Sequence, residues 1–279
     1  MNIQTPNQCS LLVTAASLFL CVIFTPASMA LADEETEVLT NYVFTPIENP
    51  MLQAQTVLNK AKTENKYALI VLGAQWCHDS VGLAQRFSTD EMQTVLSRRY
   101  VTQFIDVGYL EDRRDITNLV GYPNYFATPT VLIVDPISNT LVNMNSLKKW
   151  QSADSVELPI YIEQFSRFNK EEAPLIITQS NDNAALNTFE TQQSERLQQG
   201  YKVLGPLLAA SDAEERSDIL GEEREQFLKL WREVKQFRID LQATIHELRN
   251  TEVDATELQR KLADATLKAQ SWEQDSVKN

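Results

Sequence analysis

Gly73-Ala74-Gln75-Trp76-Cys77-His78-Asp79-Ser80 is the stretch on which the fold turns. It closes an unbroken apolar run, Tyr67-Ala68-Leu69-Ile70-Val71-Leu72-Gly73, and such a run marks a strand buried on both faces of a helix-covered sheet. A helix is expected to start at or just after Cys77 and to run through Phe87. A cysteine at that junction has a chemical consequence. Free backbone N–H groups and the helix dipole favour an anion at a helix N-terminus, so a thiol there ionises more readily. About 50 residues on, Ala127-Thr128-Pro129-Thr130 leads into a second apolar run, Thr130–Asp135. Proline donates nothing to a ladder, so Pro129 marks an edge, a bulge or a strand start, often with a cis bond.

Outward from these two points the pattern alternates. Asp33–Pro50 is an irregular lead-in broken by Pro46 and Pro50. Leu52–Lys66 is expected to be a helix, since Leu52, Ala54, Val57, Leu58 and Ala61 share a face. Thr89 or Asp90 can cap a shorter helix ending near Arg99. Tyr100–Val107 is the next strand, and Asp112–Val120 a short helix ended by Gly121. Turn residues at Pro136–Asn139 lead to a strand near Leu141–Met144, and Ser152–Phe168 closes the region as a helix. This order predicts an α/β sheet with helices on both faces.

Beyond Pro174 only helical patterning is found, with breaks expected at Gly205-Pro206 and Ser211-Asp212. Phe227, Val234, Leu241, Leu248, Ala255 and Leu262 recur every seven residues. Leu230, Phe237, Leu258 and Ala265 take the offset positions, interrupted by Thr244 and Thr251. Such a seam packs either on its own chain or against a second copy, so self-association through residues 222–272 is open. The expected organisation is a lead-in over 33–50, an α/β domain over 51–170, a linker over 171–182 and a helical extension over 183–279.

Taken together, the strand, the Trp-Cys-x-x-Ser turn into a helix and Thr128-Pro129 before the penultimate strand resemble the thioredoxin fold. The likeness spans about Pro50 to Lys170 and is nearest to exported bacterial thioredoxin-like proteins carrying Trp-Cys-His-Asp-Ser. It implies a thioredoxin-like mixed sheet flanked by helices, here with a C-terminal all-α extension. It further implies that Pro129 is a cis-proline lying against Cys77. Thr128 would offer its backbone to an extended substrate strand, in a groove shared with Trp76, His78 and Asp79. The partners so implied are disulfide- or thiol-bearing proteins or small thiols.

Two departures bear on chemistry. Ser80 stands where thioredoxins have a second cysteine, and Val71 lies near the place of their buried carboxylate. A dithiol enzyme resolves its mixed disulfide through the large effective concentration of the second thiol. A serine hydroxyl, almost wholly protonated near neutrality, cannot. Cys77 can attack a disulfide, but release then needs an external thiol such as glutathione, and no other cofactor is expected.

Composition narrows the rest. Lys plus Arg number 25 against 38 Asp plus Glu, a net charge of −13, which repels phosphate backbones and argues against nucleic acid as a partner. Met1–Ala32 contains no charged side chain, and its 14-residue apolar run Leu11–Phe24 is shorter than the ~20 residues that span a bilayer. With Ala30-Leu31-Ala32 as a cleavage pattern, residues 1–32 read as a signal peptide and the protein as periplasmic or otherwise exported. The alternatives are an uncleaved anchor over Leu11–Ala32, with the chain facing the exported side of a membrane, and a lipoprotein processed at Cys21, which Leu20 disfavours. Cleavage removes Cys9 and Cys21 and leaves Cys77 as the one thiol. Cys77 and His78 are adjacent and the other histidine, His246, is far along the chain, so no metal site is expected.

Three functional readings follow. The first is a monothiol thiol–disulfide oxidoreductase or isomerase, with Cys77 as nucleophile and Ser80 hydrogen-bonded to its thiolate. The second is a non-catalytic binding module in which Ser80 is the neutral remnant of a lost cysteine. The third is an assembly factor acting through the C-terminal helices.

Overall fold

The computed structural model describes residues 40–170, 183–214, 222–250, 252–265 and 268–274. The expected signal peptide, most of the lead-in and the linker over 171–182 lie outside them. The sheet is built from β1 (Tyr67–Gly73), β2 (Tyr100–Asp106), β3 (Thr130–Asp135) and β4 (Thr140–Leu141), in the order β2-β1-β3-β4. β1 is central, parallel to β2 from Tyr67↔Tyr100 to Gly73↔Asp106 and antiparallel to β3 from Ala68↔Val134 to Leu72↔Thr130. Every residue of β1 is buried, which is why its sequence shows no polar alternation.

Successive β1 residues feed opposite cores. Tyr67, Leu69 and Val71 pack under α2 (His78–Phe87), α3 (Asp90–Arg99) and α5 (Leu158–Ser166), together with Phe87, Met92, Trp150 and Phe165. Ala68, Ile70 and Leu72 pack with α1 (Pro50–Thr63), α4 (Arg114–Asn118) and the helical extension. α1 starts earlier than expected, at Pro50. The Asn49 Oδ1 accepts from the Leu52 N–H at 3.0 Å and proline suits the first helical position, where no N–H is needed.

Several expectations need correction. The strand near Leu141–Met144 is only the two-residue β4, because the Asn143 side chain takes over the ladder's hydrogen bonds. Its Oδ1 accepts from the Ile133 N–H and its Nδ2 donates to the Val131 carbonyl, both at 2.8 Å. The helix over Ser152–Phe168 is two elements: a 3-10 segment, Met144–Ser155, broken at Ser152 (φ −127°), and α5, which starts where Pro159 can occupy a first turn. The helix over Asp112–Val120 contracts to α4, with the Asp112 carboxylate accepting from the Arg114 N–H at 3.0 Å. The end of the lead-in is part of the domain. Tyr42 stacks on Phe104 with ring centroids 4.8 Å apart, Phe44 is buried, and the Tyr42 N–H donates to Ser88 Oγ at 3.0 Å.

The extension comprises α6 (Ala184–Glu214), α7 (Glu222–Asn250), α8 (Ala255–Asp264) and α9 (Ser271–Gln274). Neither Gly205-Pro206 nor Ser211-Asp212 breaks α6. Gly205 is there for close approach: a Cβ on it would lie 2.2 Å from the Tyr109 carbonyl oxygen. The heptad residues Val234, Leu241, Leu248 and Leu262, with Phe237 and Leu258, are buried in the same core as α1. These residues of the seam therefore pack on their own chain. Exposed Ala255 leaves the seam because the chain restarts a helix at Asp254, whose carboxylate accepts from the Thr256 and Glu257 N–H groups at 2.9 Å.

α6 is bonded to the segment before Pro129. Ser194 Oγ donates to the Pro123 carbonyl at 3.3 Å, Gln198 Nε2 to the Tyr125 carbonyl at 3.1 Å, and the Tyr201 hydroxyl to the Phe126 carbonyl. The buried Glu190 carboxylate accepts from Asn124 and Arg249, joining that segment, α6 and α7. Residues Leu39–Asn279 thus form one unit. Among the described residues no helix is long and apolar enough to cross a membrane.

Candidate active site

Cys77 is the N-cap residue of α2. Its backbone is extended (φ −93°, ψ 113°), its carbonyl accepts the Val81 N–H at 3.0 Å, and its side chain caps nothing. The residue is half-buried, and its Sγ lies 3.4 Å from the Thr128 carbonyl oxygen, to which it is hydrogen-bonded. The Thr128–Pro129 peptide bond is cis. Residues far apart in sequence meet here because β1 and β3 are antiparallel neighbours: β1 ends by delivering Cys77 next to the point where Thr130 begins β3.

Trp76 is anchored by its indole N–H, which donates to the Gly108 carbonyl at 2.7 Å, and its ring stands edge-on to Trp231 of α7. His78 is 82% exposed, and its Nε2 lies 3.5 Å from the Asp154 carboxylate. Asp79 sits in the first turn of α2, where the dipole favours an anion, and accepts from the Asp154 N–H at 3.2 Å.

Two of the expected residues are largely buried. Ser80 makes no hydrogen bond to Cys77. It is fully buried, its Oγ has no hydrogen-bond partner, and it lies against Gly73 and Phe44 beneath the turn; a Cβ on Gly73 would come within 2.8 Å of that oxygen. At i+3 from Cys77 its side chain points into the core. Thr128 is only 8% exposed, and its carbonyl is already an acceptor for Cys77.

Residues of the helical extension complete the site. Trp76, Cys77 and Thr128 line one side of a cleft of about 780 Å³, and Phe227, Trp231, Lys235 and Arg238 of α7 line the other. The Arg238 guanidinium borders the Tyr201 hydroxyl. Burial pushes that phenol up, and Arg238 partly offsets the shift. Burial also pushes Tyr125 well above its ordinary range, reinforced by the neighbouring Tyr201. None of the α7 residues is apparent from the Trp-Cys-His-Asp-Ser motif. The available signal is that Trp231 lies four residues after Phe227, the first residue of the heptad seam, on one apolar face of α7.

Residues 51–136 match a family model described as thioredoxin-like. Among solved structures the chain is similar to the crystal structure of a disulphide isomerase from Xylella fastidiosa Temecula1. The identity is 19%, over 45% of this chain and 96% of that one, with a TM-score of 0.41. Among curated proteins nothing matches the chain. The sheet order and the helices on both faces form a thioredoxin-like fold, in agreement with the matched segment, with long C-terminal helices added.

Proposed function

We propose that this protein is an exported thiol–disulfide exchange protein that works through Cys77 alone. A thioredoxin-like domain supports exchange chemistry in general. The observation that carries the finer reading is the half-buried Cys77 at the N-terminus of α2, its sulfur 3.4 Å from the Thr128 carbonyl oxygen, at the wall of a cleft. In the first step the Cys77 thiolate attacks one sulfur of a disulfide R–S–S–R. A Cys77–S–S–R bond forms, the S–S bond of R–S–S–R breaks, and R–S⁻ leaves. In the second step an external thiolate R′–S⁻ attacks the R sulfur, giving R–S–S–R′ and returning Cys77 as thiolate. No net oxidation occurs within the chain. Ser80 takes no part, and the external thiol does what a second cysteine would do.

The test is reduction of a small uncharged disulfide with reduced glutathione as the external thiol. The Cys77→Ser chain is expected to lose at least about a hundredfold in rate, the loss of the nucleophile leaving only unassisted exchange. A Cys77→Ser chain as fast as the parent overturns the reading. Export has its own test: the protein recovered from a bacterial periplasm is expected to begin at Asp33, as cleavage after Ala32 requires. A product retaining residues 1–32 points instead to the membrane anchor.

A further inference from the structure

We infer that the cleft is a binding site for a small thiol or disulfide that carries carboxylates, held by Arg238 and Lys235 of α7. This rests on the exchange reading for its chemistry but not for its binding site. Much of the backbone beside the cleft is already bonded. In the segment before Pro129 the carbonyls of Pro123, Tyr125 and Phe126 are taken by α6, and Thr128 is only 8% exposed. A space of about 780 Å³ lies within the ~300–1,000 Å³ common for small-ligand sites.

Charge decides the kind of small molecule. The chain carries a net −13, yet Lys148, Lys235 and Arg238 all border this cleft, against Asp79 and Asp212. Both carboxylates are engaged: Asp79 by the Asp154 N–H, and Asp212 by the Tyr109 hydroxyl at 2.6 Å. The Arg238 guanidinium borders the cleft and the Tyr201 hydroxyl, its Nε has no hydrogen-bond partner among the described residues, and a guanidinium in a shielded site is a strong carboxylate donor. The Trp76 and Trp231 rings form the apolar wall beside the sulfur. A ligand with its sulfur near Cys77 and its carboxylates toward α7 satisfies both halves.

The test uses S-methylglutathione, which has the carboxylates and no free thiol, titrated calorimetrically into the full chain. Saturable binding is expected, weakened about tenfold or more for the diethyl ester of the same compound, as loss of charge-assisted hydrogen bonds requires. Arg238→Met and Lys235→Gln are each expected to weaken it as well, with circular dichroism confirming that they fold. Absence of saturable binding overturns the inference, and so does an ester that binds as tightly as the acid. If S-methylglutathione binds as expected but Cys77 exchanges with no disulfide, the binding site stands and the exchange reading falls.

Discussion

Trp76 and Trp231 meet edge to face, with ring centroids 6.4 Å apart and planes at 83°. One is the residue before Cys77 and the other belongs to a helix that sequence order places far away. The contact ties α7 to the turn that carries the thiol, so the extension forms part of the site and is not a separate appendage. Trp231→Ala removes that wall. Alkylation of Cys77 by iodoacetamide, followed by peptide mapping, is expected to speed up several-fold. The aromatic pair is worth about 1 kcal/mol beyond its burial, so the melting temperature is expected to fall by a few degrees. An unchanged alkylation rate contradicts this placement of α7.

Ser80 separates two accounts of the motif. Its hydroxyl is buried and unpartnered, and a buried polar group left unsatisfied costs roughly 1–3 kcal/mol. Ser80→Ala is therefore expected to leave the melting temperature unchanged or raise it, with the exchange rate within about twofold of the parent. A large loss of exchange without loss of stability returns Ser80 to the reaction.

Glu190 holds the extension to the domain. Its side chain is 3% exposed and paired with Arg249, and removing one partner of a buried pair costs about 3–5 kcal/mol because the other charge is left stranded. Arg249→Met is expected to destabilise by that order in urea unfolding. Adding Glu190→Gln is expected to recover much of the loss, since no uncompensated charge then remains. Additive losses contradict the pairing.

Acid is expected to loosen α9 first. The Arg196 guanidinium, bonded to Glu273 at 2.5 Å, holds that carboxyl below its ordinary value of 4.5. A carboxyl lowered in the folded state contributes stability that is fully present above its ordinary value and is lost as pH falls through the lowered one. Trp272, buried against Phe237 at 5.5 Å, reports the change. Its emission is expected to shift to the red as pH falls below 4.5, and Glu273→Gln is expected to show the shifted emission already at neutral pH. Emission that does not respond to either contradicts the pin.

What the sequence discloses about this molecule follows the range of the forces involved. β3 lies at Thr130–Asp135 as its apolar run predicts, and β1 is legible because a strand buried on both faces needs no partner to be recognised. β4 is not, because one side chain, Asn143, substitutes for backbone that periodicity presumes. Gly205-Pro206 reads as a break by local propensity and is overruled by tertiary packing against Tyr109. Of the site, the Cys77 turn and Pro129 are visible as a motif, whereas Trp231, Lys235 and Arg238 carry no motif. They come to the cleft through the packing of α7 on α6, and α6 is in turn placed by side-chain-to-carbonyl bonds with no sequence signature. Ser80 misleads for a related reason: the motif shows its spacing from Cys77 but not that the intervening turn points the two side chains apart.

The account rests on one sulfur that exchanges without a second, and intact-mass measurement tests it most directly. The full chain is mixed with excess oxidised glutathione, freed of small molecules, and mapped by peptide. A mixed disulfide on Cys77 is predicted that persists until a thiol is added and then disappears. Absence of an adduct on Cys77, or its loss with no thiol added, contradicts the account.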